Sequence, residues 1–335
     1  MSHKVTLIPG DGIGPEVCES AQRILAAAGV DLDWEVIPRE EPREDEEPDA
    51  FLRKAIESVH RTRVAMKGPL TTPIGKGHRS LNVALRQELE LFANLRPVRD
   101  VPGVPSLFRD IDLVLVRENT EDLYSGVEHQ VVPGVVVSLK IITEKASTRI
   151  AKFAFDYARK HGRKKIHAIH KANIMKVTDG LFLECIRRVA VEYPDIQYRE
   201  LIVDNTAMQL VLNPRQFDVL LLTNLYGDIL SDQAAGLVGG LGMVPSANLG
   251  RDAALFEAVH GSAPDIAGKG IANPTAVLLS SVLMLEHLGE ESAAHRVREA
   301  VFHVYREGKH LTRDIPGGQS STAEFTGAVI AALGS

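Results

Sequence analysis

Residues 217–232, Phe-Asp-Val-Leu-Leu-Leu-Thr-Asn-Leu-Tyr-Gly-Asp-Ile-Leu-Ser-Asp, constrain this chain more than any other stretch. Val219 to Thr223 is a short apolar run of the kind that forms a strand buried on both faces. From Asn224 onward the period changes and a helix begins. Asp228 and Asp232 stand four residues apart, so a helix puts both carboxylates on one face, one turn apart. Two like charges that close repel unless something positive lies between them. Paired carboxylates just past the end of a strand suit a hard divalent cation with oxygen ligands, Mg²⁺ or Mn²⁺. An arbitrary Asp-x-x-x-Asp is more often a solvated helix face, so the rest of the chain has to decide.

A chain of 335 residues is longer than one typical domain, and 44% apolar with 24% charged residues is enough to bury a full core. The net charge of −6 argues against a nucleic-acid binder with a broad basic face. No apolar run approaches the roughly 18 residues of a membrane span. The start of the chain runs directly into a strand-like segment, and Cys18 and Cys185 make no disulfide framework, so a reducing cytoplasm is the expected setting.

Several strand ends carry polar residues. Lys4 to Pro9 reads as a strand, followed by the turn Gly10-Asp-Gly-Ile-Gly-Pro15 and a helix. The glycines do not make a Rossmann fingerprint, because the third glycine position holds Pro15 in one register and Val17 in the other. Residues 39–49 are a charge-and-proline run that reads as an exposed loop. The loop 68–77 feeds a helix running from Ser80 toward Pro97, with Leu81, Leu85, Leu89 and Phe92 on its buried face and Arg96 at its end. Ser80 is a candidate N-cap, and with Asn82, Arg86 and the helix N-terminus it forms a corner suited to a carboxylate. The strand Leu113–Val116 delivers Arg117 and Tyr124 to the end where α/β sheets bind ligands. Residues 131–142 alternate around Pro133-Gly134 and read as a β-arm. The strand 165–170 leads into Lys171, a proton acceptor if a positive neighbour lowers its pKa. The strand 196–203 leads to Asp204, a third strand-end carboxylate. Residues 256–274 read as a loop long enough to wrap a ligand.

Seven segments, in order, resemble the isocitrate and isopropylmalate dehydrogenase family: Ile8–Pro15, Ser80–Arg86, Leu95–Pro97, Arg117–Asp122, His170–Met175, Asn224–Asp232 and His260–Asp265. The resemblance runs from residue 4 to the C-terminus. It implies an α/β fold of two domains that is not Rossmann. Residues 1–98 with 250–335 would form a large cofactor-side domain, and 99–249 a smaller one with dimer contacts and the β-arm. The active site would lie in the cleft, shared across a homodimer.

The same resemblance implies roles. Ser80 and Asn82 match members that hold the γ-carboxylate of isocitrate, where isopropylmalate enzymes carry apolar residues and homoisocitrate enzymes a more basic segment. Arg86, Arg96 and Arg117 would clamp the other carboxylates. Tyr124 would protonate carbon after CO₂ leaves, and Lys171 would take the hydroxyl proton of the neighbouring subunit's substrate. Asn173 would help place substrate and nicotinamide. Asp228 and Asp232 of one subunit, with Asp204 of the other, would bind Mg²⁺ or Mn²⁺. The cofactor would contact Ile13, Thr72, Asn173, Glu257, His260, Gly261, Ser262, Ala263, Pro264, Asp265, Ile266 and Asn273. NADP-using members place Lys and Tyr where this chain has Asp265 and Ile266. An aspartate accepts hydrogen bonds from a free ribose 2′-hydroxyl and repels a 2′-phosphate, so NAD is expected. The expected reaction is oxidative decarboxylation of isocitrate. Homoisocitrate and 3-isopropylmalate are the alternatives that residues 80–86 argue against. A non-catalytic regulatory subunit is a further alternative, disfavoured because Tyr124, Lys171 and all three aspartates are present.

Overall fold

The structure is a computed structural model that describes residues 2–39, 50–71 and 80–334. Thr72, most of the 68–77 loop and residues 40–49 of the charged run lie outside the described residues.

The first half of the chain alternates strand and helix: β1 (His3–Ile8), α1 (Gly14–Ala27), β2 (Leu32–Val36), α2 (Ala50–Thr62), β3 (Val64–Lys67) and α3 (Leu81–Glu88). Then come β4 (Ala93–Arg99), β5 (Asp112–Glu118) and the hairpin β6 (Glu128–Val132) and β7 (Val135–Ser138). Next are α4 (Glu144–Lys160), β8 (Lys165–His170), α5 (Thr178–Ala190), β9 (Gln197–Ile202) and α6 (Val203–Leu212). The chain finishes with β10 (Val219–Leu222), α7 (Asn224–Gly236), β11 (Pro245–Leu249), β12 (Ala254–Ala258), α8 (Thr275–His287), α9 (Glu291–Glu307) and α10 (Thr322–Ala332). Pro15 sits in the first turn of α1, where its missing N–H costs nothing.

One ten-stranded sheet, ordered β2-β1-β3-β12-β11-β4-β5-β10-β8-β9, runs through the molecule. Each wing is parallel, whereas β12, β11, β4 and β5 pair antiparallel in the middle. The sheet is unbroken across positions 98/99 and 249/250, where the sequence divides the chain.

The register of the central strands explains both faces of the sheet. Directly paired residues share a face. The pairs Met66–Phe256, Phe256–Ala247, Ala247–Leu95, Leu95–Val116, Val116–Leu221 and Leu221–Ala168 therefore lay one apolar row across seven strands. All of these residues are buried in the main core. One residue along, the pairs Lys67–Glu257, Glu257–Ser246, Asn248–Asn94 and Asn94–Arg117 put a polar row on the opposite face. That row is also buried, so its members bond to each other. Asn94 donates to Ser246 Oγ (2.8 Å) and Asn248 Oδ1 (2.9 Å), and Asn248 donates to Glu257 Oε1 (2.7 Å).

The structure corrects the sequence at this centre. The helix expected to continue to Phe92 and Arg96 stops at Glu88, and Glu90 turns the chain with a φ of 47°. Residues 93–99 instead pair with β5 on one side and β11 on the other, and this pairing overrides the helical spacing of Leu81, Leu85, Leu89 and Phe92. Phe256 to Ala258 belong to β12 rather than to a loop. Strand β11 and helix α6 have no counterpart in the sequence expectation. Ser80 takes the N-cap position of α3, but its hydroxyl does not cap the helix.

The β-arm expected over 131–142 forms as the β6–β7 hairpin, which starts earlier, at Glu128, and ends at Ser138, and every residue of both strands is exposed. Among the described residues, no helix is long and apolar enough to cross a membrane.

Candidate active site

Strand β5 carries Arg117 to the polar face, where it is 1% exposed. Its Nε and Nη2 donate to Asn224 Oδ1 (2.9 and 2.7 Å), and its Nη1 donates to Asp228. Helix α7 approaches this closely because residue 227 is glycine: a Cβ there would fall 2.5 Å from Arg117 Cγ. Tyr124 lies with its ring 5.1 Å from the Arg117 guanidinium and donates its hydroxyl to Asp228 Oδ2 (2.6 Å). Burial, and then the bond to Asp228, raise the Tyr124 pKa, so the phenol keeps its proton as an acid must.

Arg96 reaches the same place from β4. It donates to Ser231 and pairs with Asp232 (3.4 Å). Arg86 reaches it from α3 and bonds Glu257 (3.2 Å). Burial, then Arg117 and Arg86, pull the Arg96 pKa down to about 10. Three buried cations crowded together are stable only opposite anions. Glu257 supplies part of that charge and is held by Lys67 (2.7 Å). Burial alone would raise the Glu257 carboxyl, but Lys67 and Arg86 outweigh it and hold it far below the usual range. Even so, among the described residues Arg86 Nε and Arg96 Nε are buried without a hydrogen-bond partner. One end of the Asn82 amide is also unmatched, and the other donates to Leu70 O (3.3 Å). The Asn82 atom is an acceptor, whereas the two arginine Nε–H groups are unmet buried donors, and such donors mark a place for an anionic ligand.

The side chains of Asp228 and Asp232 remain 41% and 55% exposed. Burial opposes ionisation of Asp228, but Arg117, the Tyr124 hydroxyl and Arg96 keep its pKa below the ordinary range. For Asp232, burial and the neighbouring Asp228 win over the arginines and raise the pKa. A shared cation would relieve that repulsion, so the pair fits a divalent ion. Asp204 does not join them: among the described residues no group of three metal-ligating side chains forms.

Asp204 instead opens α6 and pairs with Lys171 (2.5 Å), while the Lys171 backbone N–H donates to Asp179. The positive neighbour expected for Lys171 is thus replaced, within one chain, by a carboxylate. Asn173 follows in the exposed turn after β8. Among the described residues, Lys171 and Asp204 pair with each other and not with the three arginines.

The loop after β12 forms a third group. Ser262 O accepts from the Ile13 amide (2.9 Å), and Ser262 Oγ accepts from Thr71 (2.9 Å). Gly12 permits this contact, since a Cβ there would sit 1.9 Å from Ser262 O. His260 Nδ1 lies 3.0 Å from Gly261 O, its Nε2 is buried without a partner among the described residues, and burial lowers its pKa. Ala263 adopts a φ of 41°, and Gly261, Pro264 and Asp265 are exposed beside the half-buried Ile266. Asn273 is engaged inside the fold, donating to Asp314 (2.9 Å) and Tyr305 (3.1 Å). Glu257 lies under the arginines rather than in this loop.

Lys67, Asn224 and Ser231 are parts of the site that the sequence reading did not assign. Lys67 had one available signal: it is a lysine closing an apolar strand, as Arg117 and Lys171 close theirs.

Glu121, behind Asn224, accepts from Thr143 N (2.9 Å) and Thr143 Oγ1 (2.8 Å). Burial pushes its carboxyl from 4.5 up to about 7, with Glu118 and Asp122 adding to the rise. A raised acid gives stability that is fully present below the unfolded pKa and is lost as pH rises through the folded one. We therefore expect the melting temperature of wild type to fall more steeply between about pH 5 and 8 than that of Glu121→Gln, measured by thermal unfolding across that range.

A sequence profile described as Isocitrate/isopropylmalate dehydrogenase matches residues 4–329. The chain belongs to that family. The Arabidopsis thaliana protein named isocitrate dehydrogenase [NAD] catalytic subunit 5, mitochondrial, is 56% identical over 329 residues, covering 97% of this chain and 87% of that protein. A Solanum tuberosum protein named 3-isopropylmalate dehydrogenase, chloroplastic, is 56% identical over 311 residues, covering 91% of this chain and 86% of that protein. The crystal structure of isocitrate dehydrogenase from Methylococcus capsulatus superimposes with a TM-score of 0.94 at 50% identity, covering 99% of both chains. The family fold is therefore the two-domain dehydrogenase type without a Rossmann fingerprint, and the sheet described above is its frame.

Proposed function

We propose that this dehydrogenase oxidises isocitrate to 2-oxoglutarate and CO₂, with NAD as hydride acceptor and a divalent cation, Mg²⁺ or Mn²⁺. The observation that carries the reading is the pair of buried Nε–H donors on Arg86 and Arg96 that are unmet among the described residues, with polar Asn82 one helical turn before Arg86, at a site where isopropylmalate would place an apolar group. A tricarboxylate meets those atoms and balances the three arginines. Asp228 and Asp232, with Asp204 contributed by a second copy, would hold the cation, whose chemistry is to draw electrons toward the substrate's carbonyl oxygen as the carboxyl group leaves.

The chain's own residues do the rest. Arg86, Arg96 and Arg117 bind and orient the carboxylates. Lys171 of the second copy takes the hydroxyl proton as hydride departs from the same carbon. Tyr124, kept protonated, returns a proton to carbon after CO₂ has left. Residues 1–98 with 250–335 serve the cofactor, and 99–249 carry the contacts with the second copy.

A homodimer is supported by exposed apolar side chains in three places: Val131, Val132, Val135, Val136 and Leu139 on the hairpin arm, Met208, Val211 and Leu212 on α6, and Ile229 on α7. A cytoplasmic setting belongs to the same proposal.

The test is formation of reduced nucleotide from isocitrate, homoisocitrate and 3-isopropylmalate with NAD and NADP in turn. Preference for another acid or for NADP contradicts the reading. For the nucleotide, Asp265→Lys with Ile266→Tyr should raise the NADP/NAD ratio of kcat/KM at least about tenfold, as a cation replaces an anion opposite a 2′-phosphate.

A further inference from the structure

Arg117 is the most deeply buried of the three arginines, and a second side chain holds it in place. Asn224, the first residue of α7, is also 1% exposed. Its Oδ1 accepts both Nε–H and Nη2–H of Arg117 (2.9 and 2.7 Å). Its Nδ2 donates to the backbone carbonyl of Glu121 (3.1 Å), which fixes the amide with its oxygen toward the arginine. A guanidinium has five N–H donors. Asn224 takes two and Asp228 takes one, which leaves one N–H on each terminal nitrogen. That remaining pair is the fork that grips a carboxylate with two parallel bonds.

We propose that Asn224 is a positioning residue that sets the angle of the Arg117 fork without cancelling its charge. The inference rests on the function proposed above, since it takes Arg117 to grip a substrate carboxylate. An asparagine suits the role better than an aspartate. It accepts two hydrogen bonds while remaining neutral, so it adds no second negative charge to that of Asp228 beside the arginine. A carboxylate there would pair with Arg117 in a buried site and compete with the ligand. The Glu121 carbonyl adds a second fixed point, because the amide cannot turn over without facing that carbonyl with its own oxygen.

The test compares wild type with Asn224→Ala and Asn224→Asp, using whichever of isocitrate, homoisocitrate and 3-isopropylmalate wild type oxidises. Arg117 binds the substrate before and during reaction alike, so its loss of aim appears mainly in KM. We expect Asn224→Ala to raise KM for the acid about tenfold or more, with kcat within about threefold and KM for the nucleotide unchanged. Asn224→Asp keeps the side-chain volume and should raise the acid KM further, because it also neutralises the fork. A merely structural residue would move the acid and nucleotide constants together. An acid KM within about twofold of wild type in either folded variant overturns the proposal, as does a parallel rise in both constants. Isocitrate turnover with an unchanged acid KM in the variants removes only the Asn224 role. Turnover of another acid removes the substrate assignment and leaves the Asn224 test intact, and turnover of none removes both.

Discussion

Asp228→Asn should lower metal-dependent turnover by about 10³-fold or more while the protein stays folded. The size follows from what the carboxylate does. Asp228 is the common acceptor of Arg117 and Tyr124, and it stands one helical turn from Asp232 at a place suited to a divalent ion. The amide oxygen keeps the bond to the arginine and the amide nitrogen can donate to the tyrosine oxygen, so local packing survives. It has no charge to hold the ion. Several kcal/mol of charge stabilisation in the transition state are thereby lost, which corresponds to the stated factor. Steady-state rates with added Mg²⁺ or Mn²⁺, alongside a thermal melt, check both halves. Full activity of the variant without added metal would remove the metal assignment.

Lys171→Met should block hydride transfer by about 10²–10⁴-fold and spare decarboxylation of supplied oxalosuccinate. The two half-reactions separate because only the first needs a group to take the hydroxyl proton. Methionine keeps an unbranched stem of similar length and cannot accept that proton. In one chain Lys171 pairs with the exposed Asp204, so the loss leaves no buried charge behind. Rates of reduced-nucleotide formation from isocitrate, and of CO₂ release from oxalosuccinate, give the two numbers. An equal fall in both would contradict a base role for Lys171.

The parts of the fold that were legible in the sequence are those whose pattern has a single meaning. The run Val219–Leu222 is of the kind that forms a buried strand, and the change of period at Asn224 marks a helix. The spacing of Asp228 and Asp232 then follows from helical geometry. The hairpin was legible because Pro133-Gly134 interrupts an alternating run. The three strands β4, β11 and β12 were not legible, and they lie side by side at the centre of the sheet. Their apolar residues form one face only, and their other face holds Asn94, Arg96, Ser246, Asn248 and Glu257, which are polar and yet buried. Alone, each such strand reads as a loop or a helix end. Burial becomes favourable only when the register sets the polar residues opposite one another, which is tertiary information.

The candidate site divides in the same way. Arg86, Arg96, Arg117, Tyr124, Asp228 and Asp232 were named from motifs, and the structure brings them together. Lys67 and Asn224 act from beneath that set, through Glu257 and Arg117, and only contact geometry reveals them. Among the described residues of one chain, Lys171 and Asp204 pair with each other and not with the arginines, which is compatible with two copies completing each site.

That completion is the central claim, and mixing the two inactive variants tests it most directly. In a hybrid dimer of Asp228→Asn with Lys171→Met, one site carries both substitutions and the other carries neither. Equal mixing with subunit exchange makes half the dimers hybrids, so about a quarter of wild-type isocitrate turnover should return. Hybrid dimers that form and stay inactive would contradict the account.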